Sequence, residues 1–431
     1  MENLLLLVHR TPYPPNKGDK IRSYHLLKHL SQRYHVHLGT FVDDPEDWQH
    51  VPLVEALCTE SHFAAMNTRT ARIRSLGALL VDRSLSFAYY RDRGLQDWVD
   101  ELMRRKKIDR IMIYSSPMAQ YARAYPQARR IVDFVDVDSD KWRQYADKKP
   151  WPLSWLYRHE SKQLLRADRQ VARDCEASLF VSEPEAQLFR TLAPESATKI
   201  GHVSMGVDVD YYAPGQVFDN PYPTGARVLI FTGNMDYWPN IDAVRWFAAS
   251  VFPALRAAFP GLYFYIVGAR PAPSVAALTQ EAGIVVTGRV PDVRPFITHA
   301  DISVAPLRIA RGVQTKVLEA MAMAKSVVVS PQALEGISAT PGTELLLADD
   351  APAFINALTA LLHQPDPAIG RAACERIRRD YGWASNLAQI DALLEARSGV
   401  AAQAPAGAVA TPAVLVLPLA APLQPVSNKV S

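Results

Sequence analysis

The stretch Asp301-Ile302-Ser303-Val304-Ala305-Pro306-Leu307-Arg308-Ile309-Ala310-Arg311-Gly312-Val313-Gln314-Thr315-Lys316-Val317-Leu318-Glu319-Ala320-Met321-Ala322-Met323-Ala324-Lys325-Ser326-Val327-Val328-Val329-Ser330 decides how the chain reads. A short apolar run over 302–305 has the composition of a buried strand. A basic loop follows, then a helical pattern over 313–324, then a second apolar run over 327–330. Strand, loop, helix and strand in this order form the repeating unit of a parallel sheet buried on both faces. The loop supplies Arg308 and Arg311, and Gly312 permits close backbone approach. The helix then begins with unpaired N–H groups. A helix N-terminus flanked by cations is an anion site suited to a diphosphate. Lys316 and Glu319 are three residues apart and share one helix face. That spacing suits a lysine holding phosphate as a point charge beside a carboxylate accepting from two sugar hydroxyls. It equally suits a surface Lys–Glu pair on an amphipathic helix.

The same alternation runs along the whole chain. In the first half, strand patterns occur at 3–9, 36–42, 109–114, 130–135, 177–181 and 199–203, with helical stretches such as 20–32, 94–107 and 155–176. In the second half, strands are predicted at 228–232, 263–267, 284–287, 302–305, 327–330 and 345–347. Helices are predicted at 241–258, 274–282, 292–299, 313–324 and 352–362. The segment 211–225 carries Pro214, Gly215, Pro221, Pro223 and Gly225 without periodicity and reads as a linker. The charge balance changes there, from net +5 up to Met205 to net −2 from Gly206 onward. The reading is an α/β protein of two Rossmann-like, doubly wound domains facing a cleft, an N-terminal domain over 1–210 and a C-terminal domain over 211–382. Ligands of such sheets bind beyond the carboxyl ends of the strands.

Composition narrows the function. The 431 residues are 48% hydrophobic and 21% charged, which excludes a disordered or fibrous chain. A net charge of only +3 argues against a nucleic-acid binder resting on bulk charge. Cys58, Cys175 and Cys374 are too few and too scattered for a disulfide framework or a zinc site, which suits a reducing, cytoplasmic compartment. The opening run Leu4-Leu5-Leu6-Leu7-Val8 is too short for a signal peptide, and no apolar stretch of about 18 residues could span a bilayer. The 32 prolines crowd into the first loop and the last stretch. The segment 398–431 is rich in Ala, Pro, Val and Leu, and reads as a disordered, removable tail.

The stretch Lys316-Val317-Leu318-Glu319-Ala320-Met321-Ala322-Met323-Ala324-Lys325-Ser326-Val327-Val328-Val329-Ser330, followed by Leu334-Glu335-Gly336, resembles the signature K-x-L-E-A-M-A-x-G-x-P-V-V-x-S-x-x-x-x-E-G of the family 4 retaining glycosyltransferases, which have the GT-B fold. The likeness extends to Phe231-Thr232-Gly233-Asn234-Met235, Pro239-Asn240 and Val286-Thr287-Gly288-Arg289-Val290-Pro291-Asp292-Val293. The loop Pro12-Tyr13-Pro14-Pro15-Asn16-Lys17-Gly18-Asp19, the stretch Asp136-Val137-Asp138-Ser139-Asp140 and Gly312-Val313-Gln314-Thr315-Lys316 are similar to the sugar transferases of PEP-CTERM/exosortase exopolysaccharide clusters. The resemblance covers about 1–395.

The resemblance implies transfer of a sugar, with retention, from a nucleotide diphosphate sugar to a glycan or polyprenyl-linked acceptor. It implies no metal and no cofactor. Glu319 matches the glutamate that binds ribose. Val317 and Leu318 present backbone near the diphosphate, with Lys316 beside them. Gly233 and Asn234 lie where the second domain meets the donor phosphates, and Gly18 matches the loop that closes over them. The final helical stretch, 383–396, is expected to cross back onto the first domain. Two departures stand out. A second glutamate of the family, eight positions before Glu319, is Arg311 here, and no basic residue occurs in 234–240. Positive charge must then come from Arg289, Arg308, Arg311 and Lys316.

Asp133, Asp136, Asp138 and Asp140 cluster after a buried strand. Asp136-Val137-Asp138 fits a D-x-D metal pattern, which is common by chance. Asp138 orienting sugar hydroxyls and a helix cap before Lys141-Trp142 are the other readings. The helix bearing Arg158, Lys162, Arg166, Arg169 and Arg173, with Trp151 and Trp155 ahead of it, is either a solvated basic face or a peripheral contact with anionic lipid on the inner membrane face. His9, His25, His29, His159 and His202 lack metal-ligand spacing, and no Walker loop or G-x-G-x-x-G follows a strand. A GT-B nucleotide-sugar epimerase and a non-catalytic GT-B assembly subunit remain as alternatives. The first needs a carboxylate pair or histidine for proton work, and the second is favoured by Arg311.

Overall fold

The computed structural model describes residues 1–15, 18–310 and 312–396. The expected tail at 398–431 and Arg311 lie outside these residues. The first sheet contains β1 (Glu2–Val8), β2 (Tyr34–Val42), β3 (Glu60–Ala65), β4 (Ile108–Tyr114), β5 (Arg129–Val135), β6 (Ala177–Phe180) and β7 (Ile200–His202). They lie in the order β3-β2-β1-β4-β5-β6-β7, and every pairing is parallel. The second sheet contains β8 (Arg227–Thr232), β9 (Leu262–Val267), β10 (Ile284–Gly288), β11 (Ile302–Ala305), β12 (Ser326–Val329) and β13 (Leu346–Leu347). Its order is β10-β9-β8-β11-β12-β13, again parallel throughout.

The continuous leucine run of β1 is explained by burial on both faces. Leu4 and Leu6 pack with Leu26, Leu27 and Leu30 of the helix Gly18–Ser31. Leu5 and Leu7 point the other way, into a core with Leu95, Val99 and Leu102. The pairing sets Leu5 opposite His37 on β2 and Ile111 on β4. In both sheets the order reverses beside the central strand, between β1 and β4 and between β8 and β11, which places a crevice at the carboxyl ends. The ladders become irregular at those ends, between Asp133 and Val135 on β5 and between Val286 and Gly288 on β10.

The last helix, Trp383–Glu395, leaves the second domain and packs on the first. Trp383, Leu387, Ile390 and Leu394 join the core of Leu4 and Leu6. Arg110 Nε donates to the Leu394 carbonyl at 3.0 Å and Arg129 Nε to that of Leu393 at 2.5 Å. His29 Nε2 lies 2.8 Å from Asp391. A Cβ at Gly206 would lie 2.4 Å from the Trp383 ring, so this crossing requires glycine there.

Several elements differ from the pattern read in the sequence. β3 was not anticipated, because its side chains are mostly half-buried and form no apolar run. The helical stretch 241–258 is two helices, Trp238–Ser250 and Phe252–Ala258, with Pro253 at the start of the second, where its missing N–H costs nothing. The stretch 274–282 shrinks to one α-turn, Pro273–Ala276, and a 3-10 turn, Ala277–Gln280. A further helix, Pro367–Asp380, was not anticipated. The segment 211–225 is irregular yet anchored, since the Tyr222 hydroxyl donates to the Phe296 carbonyl at 2.6 Å.

Candidate active site

In the second domain the crevice is built around backbone. β8 ends at Gly233, whose φ is +150°. A side chain at Gly233 would lie 2.8 Å from the Asn240 amide nitrogen and 3.3 Å from Lys316 Cε. On the neighbouring β9, a Cβ at Gly268 would fall 1.6 Å from the Gly233 carbonyl oxygen. On β10, Gly288 has φ +70°. Three adjacent strands thus end in glycine, which leaves a wall that a ligand can approach closely.

The helix Thr315–Ala322 rises beside this wall. Lys316 Nζ donates to Asn240 Oδ1 at 2.7 Å and lies 4.8 Å above the Phe231 ring. Asn240 Nδ2 in turn donates to the Asn234 carbonyl at 2.9 Å. The cation is therefore held by a neutral amide. Burial pushes the Lys316 ammonium down to about 8, with Glu319 opposing the shift. Burial likewise pushes the Glu319 carboxyl up to about 7, against a hydrogen bond from Tyr212 and the charge of Lys316. Both side chains retain partial solvent contact, so the pair faces the crevice rather than the core.

The helix starts two residues later than its sequence pattern suggests. Gly312 has φ +65° and Gln314 is extended, so Thr315 is the first helical residue. The N–H groups of Val317 and Leu318 are already bonded to the Gln314 carbonyl, at 2.9 and 3.3 Å. Among the described residues, the N–H groups left open at this end are those of Thr315 and Lys316, and Gln314 provides no side-chain cap. Arg308 is held by Asp242, with Nε at 2.9 Å from Oδ2, and lies over Trp246. It can serve a phosphate only by leaving that pair. Arg289 is exposed at the end of β10. Ala324 has φ +55°, at the position where the quoted signature carries glycine.

The first domain presents a different lip. Arg22 is fully buried and donates to Asp133 at 2.7 Å, while Asp133 also accepts from the Val135 N–H at 3.1 Å. Val135 is a β-branched residue at φ +70°, a strained conformation at the very end of β5. The acidic cluster read from the sequence is split. Asp136 and Asp138 both pair with Lys141, at 2.7 and 3.0 Å, and Asp140 accepts from Arg143 at 2.8 Å. Asp138 is the first residue of the helix Asp138–Asp147, with half its side chain exposed. Among the described residues no group of three or more His, Cys, Asp or Glu could hold a metal ion. A Cβ at Gly312 would lie 3.8 Å from Asp136 Oδ1, so the basic loop of the second domain meets this lip across the crevice. Nearby, Arg10 donates to Asp43 and Asp19, each at 2.8 Å, and His9 stacks on Tyr114. Among the described residues, a side chain at Gly18 would meet no atom within 4 Å.

Comparison with known proteins now bears on this geometry. Residues 226–364, which hold the glycine wall, Lys316 and Glu319, match the family described as glycosyl transferases group 1. This part of the chain is similar to group 1 glycosyl transferases, and the protein is a glycosyltransferase. Its architecture is the GT-B fold, shared with solved structures. Sucrose-phosphate synthase from Thermosynechococcus elongatus superposes with a TM-score of 0.64 at 17% identity, covering 91% of this chain and 98% of that one. HepE from Anabaena, solved in complex with UDP, gives 0.61 at 15% identity over 91% and 98%. WaaG, a glycosyltransferase involved in lipopolysaccharide biosynthesis, gives 0.61 at 14% identity over 91% and 100%. No curated protein matches the sequence.

The structure brings Gly233, Asn234, Lys316 and Glu319 into one cluster and sets Asp138 on the facing lip. Sequence reasoning missed Gly268 and Tyr212, and it quoted Asn240 only within a matching stretch, without a role. Gly268 had a readable signal, a glycine directly after the buried strand Ile266-Val267. Tyr212 had none, because it sits in the irregular segment between the domains. The basic helix also reads differently. In the helix Leu153–Asp174, Arg169 and Arg173 pair with Glu195 at 2.8 and 3.2 Å, and Arg166 with Asp82. Glu160 is buried and accepts from the N–H groups of Leu85 and Ser86. Much of this face serves the fold.

Proposed function

We propose that the protein transfers a sugar, with retention, from a nucleotide diphosphate sugar to a glycan or lipid-linked acceptor in exopolysaccharide synthesis of the PEP-CTERM type. The observation that carries the donor reading is the Lys316–Glu319 pair set against the glycine wall at the carboxyl ends of β8 and β9. Lys316 and the open N–H groups of Thr315 and Lys316 hold the diphosphate, and Glu319 accepts from the ribose hydroxyls. Gly233, Gly268 and Asn234 allow the phosphates to approach backbone, while Val317 and Leu318 fix the helix that aims them. Arg289, Arg308 and Arg311 supply further positive charge as the domains close, and Gly18 covers the diphosphate from the first domain.

The leaving diphosphate is stabilised by fixed dipoles and cations rather than by a metal. Asp138 orients hydroxyls of the acceptor or the transferred sugar. Closure excludes water, which limits donor hydrolysis. HepE, a structural neighbour, was solved with UDP-glucose, which supports a nucleotide-sugar donor. Free thiols at Cys58, Cys175 and Cys374 suit work in the cytoplasm. Among the described residues no helix is long and apolar enough to cross a membrane, so a lipid-linked acceptor would be met at the surface of the bilayer. Titration with UDP, GDP and ADP should show one binding tightly. Glu319→Ala should abolish transfer while the protein stays folded; unchanged turnover would remove the donor assignment.

A further inference from the structure

The helix Thr68–Leu76 and the 3-10 turn Gly77–Val81 are packed inside out. Their buried stripe is Ala71, Ser75 and Ala78, at helical spacing. Their outward stripe is Arg69, Arg72, Ile73, Leu76 and Leu80. Leu80 is 90% exposed, Ile73 71%, Val81 61% and Leu76 48%. An amphipathic segment in a globular protein normally turns its large apolar residues inward and its small ones out or to contacts. Here the large residues form a ridge in solvent, and no part of the described chain covers it.

A second exposed group is joined to the end of this segment through Asp82. Asp82 ends the turn and lies 3.8 Å from His159, and Trp155, 52% exposed, stacks on His159. Trp151 and Leu153, just ahead of Trp155 in the chain, are exposed as well. The rim is cationic. Arg69, Arg72 and Arg83 are exposed, and none forms an ion pair among the described residues. Behind the ridge runs a groove of about 1240 Å³ whose lining includes five arginines against three aspartates. Large apolar side chains at the summit, arginines at the rim and tryptophans beside them match the interfacial layer of a negatively charged bilayer, where apolar groups enter the acyl boundary and guanidinium groups meet phosphates.

We propose that this ridge, rather than the basic face of Leu153–Asp174, docks the protein on an anionic lipid surface. It deepens the acceptor reading above by giving a lipid-linked acceptor its approach. The ridge helix is tied to the crevice lip: its Arg74 donates to the Arg91 carbonyl at 2.8 Å, and the neighbouring Tyr90 packs edge-on against His9. A docked ridge therefore holds the first-domain lip next to the bilayer.

The test is sedimentation of the full chain with vesicles of phosphatidylcholine alone and of phosphatidylcholine mixed with phosphatidylglycerol, without nucleotide. The protein should bind the mixed vesicles, and salt should weaken the binding. Ile73→Ser with Leu80→Ser should reduce binding at least tenfold. Arg69→Gln with Arg72→Gln should abolish the preference for phosphatidylglycerol. Arg169→Ala with Arg173→Ala should change nothing. Thermal midpoint and UDP titration on each variant keep folding and donor binding separate from docking, so a failed donor assignment leaves this outcome readable. Wild-type protein that ignores the mixed vesicles, or ridge variants that bind them like wild type, would overturn the proposal.

Discussion

The two lips of the crevice treat charge in opposite ways. On the first-domain side, among the described residues, Arg10 is answered by Asp19 and Asp43, Lys20 by Asp47, Arg22 by Asp133, and Lys141 by Asp136 and Asp138. On the second domain Arg308 is likewise held by Asp242, but Lys316 rests on the neutral amide of Asn240, and three strands end in glycine. Those pairs set six carboxylates against four cations, so the first lip offers acceptor oxygens that suit sugar hydroxyls and holds its cations away from an anion. A lip with a cation held by an amide keeps its field for an anion. The proposed division between donor and acceptor sides rests on how Lys316 is paired, more than on how many cations each lip holds.

The sharpest contrast is between two glycines. A Cβ at Gly268 would sit 1.6 Å from the Gly233 oxygen, whereas one at Gly18 would touch nothing among the described residues. Gly268→Ala should cost about 3 kcal/mol of stability and remove donor binding, because the wall must move to admit the methyl. Gly18→Ala should change stability by less than about 0.5 kcal/mol. Denaturant titration of both variants checks this. Equal stability losses would mean that the two walls are equally close-packed. Next in size, Lys316→Met should weaken binding of the nucleotide diphosphate about 100-fold, close to 2.7 kcal/mol, as the diphosphate loses its buried cation. Calorimetric titration reads it directly.

How much of this was legible in the sequence depends on where burial is one-sided. β1, β4, β8 and β11 are enclosed on both faces, so their apolar runs announced them. β3 lies at the sheet edge and carries Glu60, Ser61 and His62, which no strand pattern distinguishes from a loop. Pro367–Asp380 carries Arg371, Glu375, Arg376, Arg378 and Arg379, so its buried stripe of Ile369, Ala373 and Ile377 was masked by charge. At the site, Lys316 and Glu319 were readable because helix spacing fixes which residues share a face. Asn240 and Tyr212 were not, since their role arises from a contact across 76 residues for one and from the interdomain segment for the other. Val135 could not be anticipated either, because its left-handed backbone is imposed by Asp133 and the break in the β5 ladder.

The amide beneath Lys316 gives a further way to break the contrast. Glu319 accepts ribose hydroxyls best when ionised, so donor affinity should fall as pH drops through about 7. The diphosphate needs Lys316 protonated, so affinity should fall again as pH rises through about 8. The profile is a bell whose limbs belong to the coupled pair, and each limb should cost about tenfold per pH unit beyond it. Asn240→Asp would give the second lip the pairing pattern of the first. It should lower affinity for the nucleotide diphosphate about tenfold at neutral pH, since the new carboxylate repels phosphate. It should also move the alkaline limb upward, because an adjacent carboxylate favours the charged ammonium. Affinity unchanged by this substitution would show that the pairing of Lys316 does not set donor binding.

The smallest effect belongs to the first lip. In Asp138→Asn, Lys141 keeps Asp136 at 2.7 Å, so the charge of the lip changes at an exposed position with its main pair intact. Stability should shift by less than about 0.5 kcal/mol. Donor affinity should stay within about twofold, because the residue lies on the opposite lip from Lys316 and its field is screened by solvent. What should change is the use of acceptor: if Asp138 orients hydroxyls, its amide has one acceptor oxygen where the carboxylate had two, and the KM for acceptor should rise with donor affinity unmoved. A variant that instead loses donor affinity and keeps its acceptor KM would place Asp138 with the diphosphate, and the proposed division of labour between the two lips would fail.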